Sequence, residues 1–600
     1  MNVSITAGAA AEIPPVWSLD DLYAGRDDPR IEADFESATR INEELARFQG
    51  AFLAARDLAS DLGALIERSV DLYEAGAEHL WKLGAYASLA ASTARDDAGW
   101  ARFEADVRAR TAQVAAISLF FTLELNDLTD AEIEAALAAR PGAARWRPWL
   151  RKVRLGRPHQ LSEDLERLLI DKGPAVANWV RLYDETLARL SVRAGSDHLT
   201  LAEALNRLSD PNPARRRAAA LGLAKALKAQ ASTLALCLNT LAFEKQVEDR
   251  WRHYATPAQA RHIANEVDAE AVGALERAVV ESYPRLSHRY YRLKAKAMGR
   301  KVLDHWDRNA PLSQAQPRRY RWSEAKAMVM EAFEGLSPRF ADAAAHFFER
   351  PWIDARPRPG KQSGAYSHPV SPKIHPYVFL NYMDERRDVL TLAHELGHAI
   401  HQTLAAPRGA LLADTPLTLA ETASIFGEGL VFERLLEGAR GPERRDLLAG
   451  KIEDALNTVV RQIAFHRFET RFHAERAKGE ISLETIGSIW LEVMAESLGP
   501  AIRLGQGYDI YWAYVSHFVH TPFYVYAYAF GDLLVEGLMA ARERDPGSFA
   551  PLYETLLASG GARTYVEALA PFGLDPRDEA FWRAGCGRLE RLVDEFEALV

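Results

Sequence analysis

The chain has 600 residues, 48% hydrophobic and 26% charged, with a formal net charge of -10 at pH 7. That length predicts a large core and more than one lobe, and the composition excludes a disordered or low-complexity chain. The acidic balance argues against nucleic acid as the main partner, and no run reaches the roughly eighteen apolar residues of a membrane span.

The opening MNVSITAGAAAEIPP lacks the positive residues and apolar core of a signal peptide. Cys237 and Cys586 are too few for a disulfide framework or a thiolate zinc site. A cytoplasmic location is expected. From Trp17 to about Leu150, Ala, Leu, Glu, Asp and Arg recur at helical spacing, and Thr129 followed by Glu132 predicts a capping box. Pro, Gly and Arg over 141–160 predict a connector that breaks the helical text. LSEDLERLLI from Leu161 is helical again, and SVRAGSDHLTL predicts a small hairpin around Gly195. A regional boundary falls just beyond it, dividing 1–200 from 201–600.

The stretch 201–298 reads as helix, and 309–322 as a loop before another helix. The basic runs at Arg215, Arg216 and Arg217 and around Arg318 are expected to be solvated. Over 360–382 the text changes to Pro, Gly and Ser and ends in HPYVFLNY, a short β-rich run. With a free edge, that strand would pair with an extended peptide through main-chain hydrogen bonds; the alternative is a strand buried within a small sheet.

Next comes DVLTLAHELGHAIHQ, 388–402, with apolar residues at helical spacing and Asp388 where an N-cap belongs. His394 and His398 are four apart, one turn above each other on one face, and can offer imidazole nitrogens to one Zn²⁺. Glu395 is rotated about 100° from His394, toward the side where a metal-bound water would sit, and suits a general base. With 17 histidines in the chain, the pattern arises by accident only about 0.03 times, so chance is a poor explanation. The long metzincin pattern is excluded, because His401 and Leu404 stand where it needs glycine and histidine.

Catalytic zinc usually has three protein ligands. In TPLTLAETASIFGEGLVFERLL a helix is expected to start at Thr415 and Pro416, with Glu421, Ser424 and Glu428 sharing one face. Acids on an otherwise apolar face make Glu421 the candidate third ligand and Glu428 a group behind the ligands, holding a ligating His nitrogen. Farther on, the segment 511–531 brings His517 and His520 beside Tyr524, Tyr526 and Tyr528. Its alternation alone reads as a strand.

WSLDDLY at Trp17, GKQSGAYS, HPYVFLNY, the HELGH run, LAETASIFGE, HTPFYVYAYAFG and ALAPFGLDPRDEAFW together resemble the thimet-oligopeptidase-related metallopeptidases of family M3, in the oligoendopeptidase F branch. The resemblance implies an almost all-α fold, with two lobes enclosing a deep channel, one zinc at its floor and short unstructured peptides as substrates. It implies His394, His398 and Glu421 as ligands and Glu395 as base. For the segment 511–531 it implies a loop leading into a helix rather than a strand, with His517 and Tyr528 steadying the oxyanion. Tyr524, Tyr526 and His520 remain candidates there, and Tyr366 and Tyr377 are candidates for substrate contact. Monomer or homo-oligomer is left open. The expected function is zinc-dependent endohydrolysis of oligopeptides. Its rivals are a carboxypeptidase or dipeptidyl carboxypeptidase of related architecture and a non-catalytic peptide-binding protein.

Overall fold

The computed structural model describes residues 12–313 and 318–600. Residues 1–11, which make up most of the opening segment, and 314–317 of the expected loop lie outside the described residues. The fold is predominantly helical, as expected, with long helices such as Ala59–Ser92, Glu163–Ala188 and Ala231–Trp251. The capping box forms as read: the Thr129 side chain accepts from the Glu132 N–H while Glu132 accepts from the Thr129 N–H. Two otherwise orphaned donors are thereby satisfied.

The stretch 141–160 is more helical than its prolines suggested. It holds Pro141–Ala144, Arg147–Arg154 and a 3₁₀ turn, Arg157–His159. Each proline sits in the first turn, where its missing N–H would have had no partner anyway. The hairpin is present as Val192–Ala194 paired antiparallel with Asp197–Leu199, and Gly195 supplies the left-handed turn residue at φ 69°. Arg216 departs from expectation. It is 1% exposed, and its Nη2 lies 2.7 Å from Asp307 Oδ1, so one member of the basic run is an internal ion pair.

HPYVFLNY contributes Tyr377–Phe379, the middle strand of a three-stranded sheet. Ile353–Asp354 pairs with it in parallel and Tyr366–His368 antiparallel. Both its edges are taken, so of the two readings the buried strand holds, and the outer positions belong to Ile353–Asp354 and Tyr366–His368. This sheet lies against the HELGH helix, Arg386–Ala405. That helix starts earlier than expected. Glu385 is the N-cap, and Asp388 reaches back from the first turn to accept from the Glu385 and Met383 N–H groups.

Among the described residues, two hydrophobic cores hold the molecule. The smaller gathers the early helices around Phe52, Phe121, Trp146 and Trp149 and takes in Leu411 and Leu412. The larger runs from Trp17 to Phe596 and contains the apolar side of the HELGH helix. Helix Thr422–Gly438 crosses that helix at very close range. A Cβ on Gly397 would stand 2.4 Å from the Ala423 carbonyl oxygen, and one on Gly427 would stand 3.1 Å from the Ala393 carbonyl oxygen. The two glycines are what let the backbones meet. A cleft of about 1050 Å³ opens beside this crossing. Trp81 and Arg108 from the early helices line it together with Trp352, Val370, His398 and His401.

Candidate active site

His394 and His398 project from the half-exposed face of the HELGH helix, while Val389, Leu392, Leu396 and Ile400 fix the opposite face in the core. Both Nε2 atoms point at one oxygen: each lies 3.4 Å from Glu421 Oε2. Donors on a tetrahedral zinc, each about 2.0–2.1 Å from the metal, stand roughly 3.4 Å from one another, so the spacing and the two-imidazole, one-carboxylate chemistry both fit a divalent cation. Among the described residues these three form the cluster able to hold a metal ion.

Glu421 reaches this position by a route the sequence reading did not foresee. In place of one helix from Pro416, a single turn, Leu417–Ala420, precedes Thr422–Gly438, and Glu421 is the junction, with φ -83° and ψ 0°. The break turns its side chain toward the histidines. Ser424 Oγ donates to Glu421 Oε2 at 2.7 Å and orients the carboxylate. Gly531 packs against it, with 3.3 Å between a would-be Cβ and Glu421 Cβ. Burial alone would raise the Glu421 pKa, but the two imidazoles and Ser424 outweigh it and bring it to about 2.

Behind His394, Glu428 Oε2 lies 3.6 Å from Nδ1, and Lys451 Nζ stands 3.2 Å from Glu428 Oε1. Burial acts against the Glu428 charge, yet Lys451 and His394 hold its pKa at about 2. Glu395 is buried between this crossing and the sheet. Desolvation raises its pKa, opposed by the two histidines and by a hydrogen bond from the Ser367 main chain. Ser424 was visible in the sequence as a neighbour on the Glu421 face, without a task. Lys451 gave no local signal, because it lies on another helix.

The aromatic segment is a loop leading into a helix: the turn His517–His520, then Tyr526–Arg544. His517 Nε2 and the Tyr528 hydroxyl are 3.0 Å apart, and Tyr524 packs edge-on against Tyr528 with centroids at 5.3 Å. The Glu421 charge acts on both tyrosines, so His517, Tyr524 and Tyr528 form a group bordering the three-donor cluster. The other candidates lie elsewhere. His520 is turned to Asp184, Nε2 to Oδ1 at 2.8 Å. Tyr526 is fully buried, its hydroxyl bonded to His262 and Asn265. Tyr366 stacks on Phe379 and donates to Ser92, and Tyr377 is fully buried against Trp17.

Two imidazoles and a carboxylate at this spacing could hold a metal ion, and the family comparison points to a metallopeptidase. Residues 207–588, more than half of the chain, match the model of peptidase family M3, and residues 124–191 match that of oligopeptidase F. The chain belongs to peptidase family M3, in its oligoendopeptidase F branch, and is a metallopeptidase by family. Among its relatives, oligopeptidase PepF of Bacillus subtilis (strain 168) is 22% identical over 97% of this chain and 87% of its own. Group B oligopeptidase PepB of Streptococcus agalactiae serotype III (strain NEM316) is 24% identical over 97% of each. The crystal structure of oligoendopeptidase-F from Enterococcus faecium shares the fold at a TM-score of 0.70, with 19% identity, over 95% of this chain and 99% of that one. No helix among the described residues is long and apolar enough to cross a membrane.

Proposed function

We propose that this chain is a zinc-dependent endopeptidase of short unstructured oligopeptides, acting in the cytoplasm, with His394, His398 and Glu421 as the metal ligands. The observation that carries the reading is the meeting of two imidazole nitrogens on one carboxylate oxygen at 3.4 Å. When bound there, zinc supplies Lewis acidity, polarising the scissile carbonyl and lowering the pKa of water toward about 7.

The chain's own groups do the rest. Glu395 is one residue from His394 on the same helix, and its raised pKa suits a base that takes a proton from the attacking water and returns it to the leaving amine. Glu428, braced by Lys451, fixes the orientation of the His394 ring. Tyr528, with His517 3.0 Å from its hydroxyl, offers a donor to the oxygen on which charge develops, worth roughly 10² to 10³ in rate. Tyr366–His368, outermost in its sheet, suits main-chain pairing with an extended peptide whatever its side chains. In this reading residues 1–200 roof the cleft and 201–600 carry the chemistry, a division supported by where the two family models lie.

Glu395→Gln tests the proposal. Metal content stays near normal, while cleavage of an internally quenched peptide falls by at least about 10² to 10⁴. Normal turnover removes Glu395 from the base role. Internal cuts in a peptide blocked at both ends support the endopeptidase, and an absolute need for a free C-terminus supports the carboxypeptidase rival.

A further inference from the structure

Trp81 is 41% exposed, belongs to neither hydrophobic core, and makes no hydrogen bond or ring contact among the described residues. An indole is large and mostly apolar, and leaving one uncovered forgoes the stabilisation that burial would give. The space beside it is open. Gly84, three residues on in the helix Ala59–Ser92, would carry a Cβ with nothing within 4 Å of it. Ala85 and, from the helix Ala98–Ala116, Ala112 and Ala115 line the same cleft. Small residues around one large ring leave room for another group against that ring.

The cleft joins this indole to the candidate metal site. His398 lines it, and so do Gln402 and Ala420, the residue before Glu421. So does every residue of 368–376, from the end of the outer strand Tyr366–His368 to the start of the middle strand Tyr377–Phe379. A peptide pairing with the outer strand would extend along this wall. The wall is fixed in advance. Pro369, Pro372 and Pro376 restrict its backbone, the Val370 N–H donates to His368 Nδ1 at 3.1 Å, and Ser367 Oγ donates to Gln402 Oε1 at 2.9 Å. Such preorganisation reduces the ordering cost of binding.

Size and charge narrow the occupant. A volume of about 1050 Å³ suits a drug-sized ligand or a few peptide residues. The charged side chains on the lining already have opposite partners: Arg108 with Glu104 at 3.6 Å, Asp414 with Lys152 at 3.2 Å, and Lys373 with Glu78. Burial lowers the His368 pKa to about 4, so that ring is neutral at pH 7. Nothing on this wall calls for an ionic group, while Trp81 has apolar surface left to cover.

We propose that Trp81 is a specificity-determining residue, packing against an aromatic or large aliphatic side chain of the peptide substrate in a subsite on the His398 side of the metal donors. The selecting ring comes from residues 1–200 and the chemistry from 201–600. The inference rests on the peptidase reading and deepens it by naming the class of peptide: one with a large apolar side chain within a few residues of the scissile bond.

The test walks one Phe through an alanine-rich quenched peptide, a position at a time, with the cut located by mass spectrometry. At one position the Phe peptide is expected to exceed its Ala counterpart about ten- to a hundred-fold in kcat/KM, the range for burying one aromatic side chain. This ratio does not depend on how much enzyme is folded. Trp81→Ala brings it toward one, and Trp81→Phe restores part of it. Gly84→Phe, which fills the same space from a helical position with room for a side chain, lowers it as well. A wild-type ratio below about two at every position, or an unchanged ratio in Trp81→Ala or Gly84→Phe, overturns the proposal. So does an Asp peptide that outruns the Phe peptide at that position, which would assign the site to Arg108. Calorimetry of the Phe and Ala peptides on Glu395→Gln separates the two levels. Tighter binding of the Phe peptide with no wild-type cleavage of either sinks the peptidase reading alone, and equal binding with normal cleavage of both sinks only the subsite.

Discussion

The two helices that meet at the three-donor cluster are built on opposite plans. Arg386–Ala405 is unbroken, and its spacing alone puts His394 and His398 on one face. Its partner is interrupted at Glu421, and the carboxylate arrives through that break and through a crossing in which Gly397 and Gly427 admit the opposing backbone. Two donors are thus positioned by local periodicity and the third by packing. The difference implies distinct failure modes. Altering the first helix removes a proposed ligand and leaves the rest in place, whereas altering the crossing moves a proposed ligand that is chemically intact.

The largest effect expected is from Glu421→Ala. It removes a proposed ligand without touching the glycine contact, and activity should fall by at least roughly 10³, the several kcal/mol a metal supplies to the transition state. Metal content by mass spectrometry should fall with it; full occupancy with intact activity would break the comparison at its root. Tyr528→Phe keeps the ring and deletes the hydroxyl 3.0 Å from His517, so kcat should drop by about 10² to 10³ with metal content unchanged. A change in KM alone would move Tyr528 from the oxyanion to substrate binding.

Gly397→Ala probes the crossing itself. A methyl group 2.4 Å from the Ala423 carbonyl oxygen must push the helices apart, which should lower stability by about 1–3 kcal/mol and loosen metal retention during dialysis against a chelator. Unchanged retention would show that the Glu421 position does not depend on the close approach.

The smallest effect concerns the support of the aromatic loop. Phe523 adopts φ 60°, unusual for a bulky residue, and its N–H donates to Glu469 Oε1 at 2.7 Å. Burial raises the Glu469 pKa from near 4.5 to about 8. The folded protein therefore binds a proton here that the unfolded chain has released between those values, so this contribution is present below about pH 4.5 and lost as pH rises through 8. Glu469→Gln should flatten the decline of the urea midpoint over that range. A variant with the wild-type slope would exclude Glu469 as its source.

Much of this molecule is legible in the chain because its signals are local. The Thr129 capping box, the Gly195 hairpin and the HELGH helix each depend on residues within one or two turns, and each forms. Proline misled the reading over 141–160, since Pro141 and Pro148 look the same in sequence whether they break a helix or begin one. Whether HPYVFLNY carries a free edge or a buried one stays open in the sequence, because strand order is not a property of any one strand. Of the aromatic residues, His517, Tyr524 and Tyr528 gather near Glu421 while His520 and Tyr526 turn to Asp184 and His262. Side chains this close in sequence diverge according to what packs around the loop.

By itself the sequence determined the helical class, the family motifs and the paired imidazoles, because 3.6 residues per turn fixes which side chains share a face. Only the tertiary structure decided that Glu421 breaks its helix and that Ser424 and Lys451 brace the donors. Those are contacts between elements far apart in the chain. Their geometry follows from how closely two backbones approach and which charges are left to face each other once the core has closed, and no local spacing encodes either.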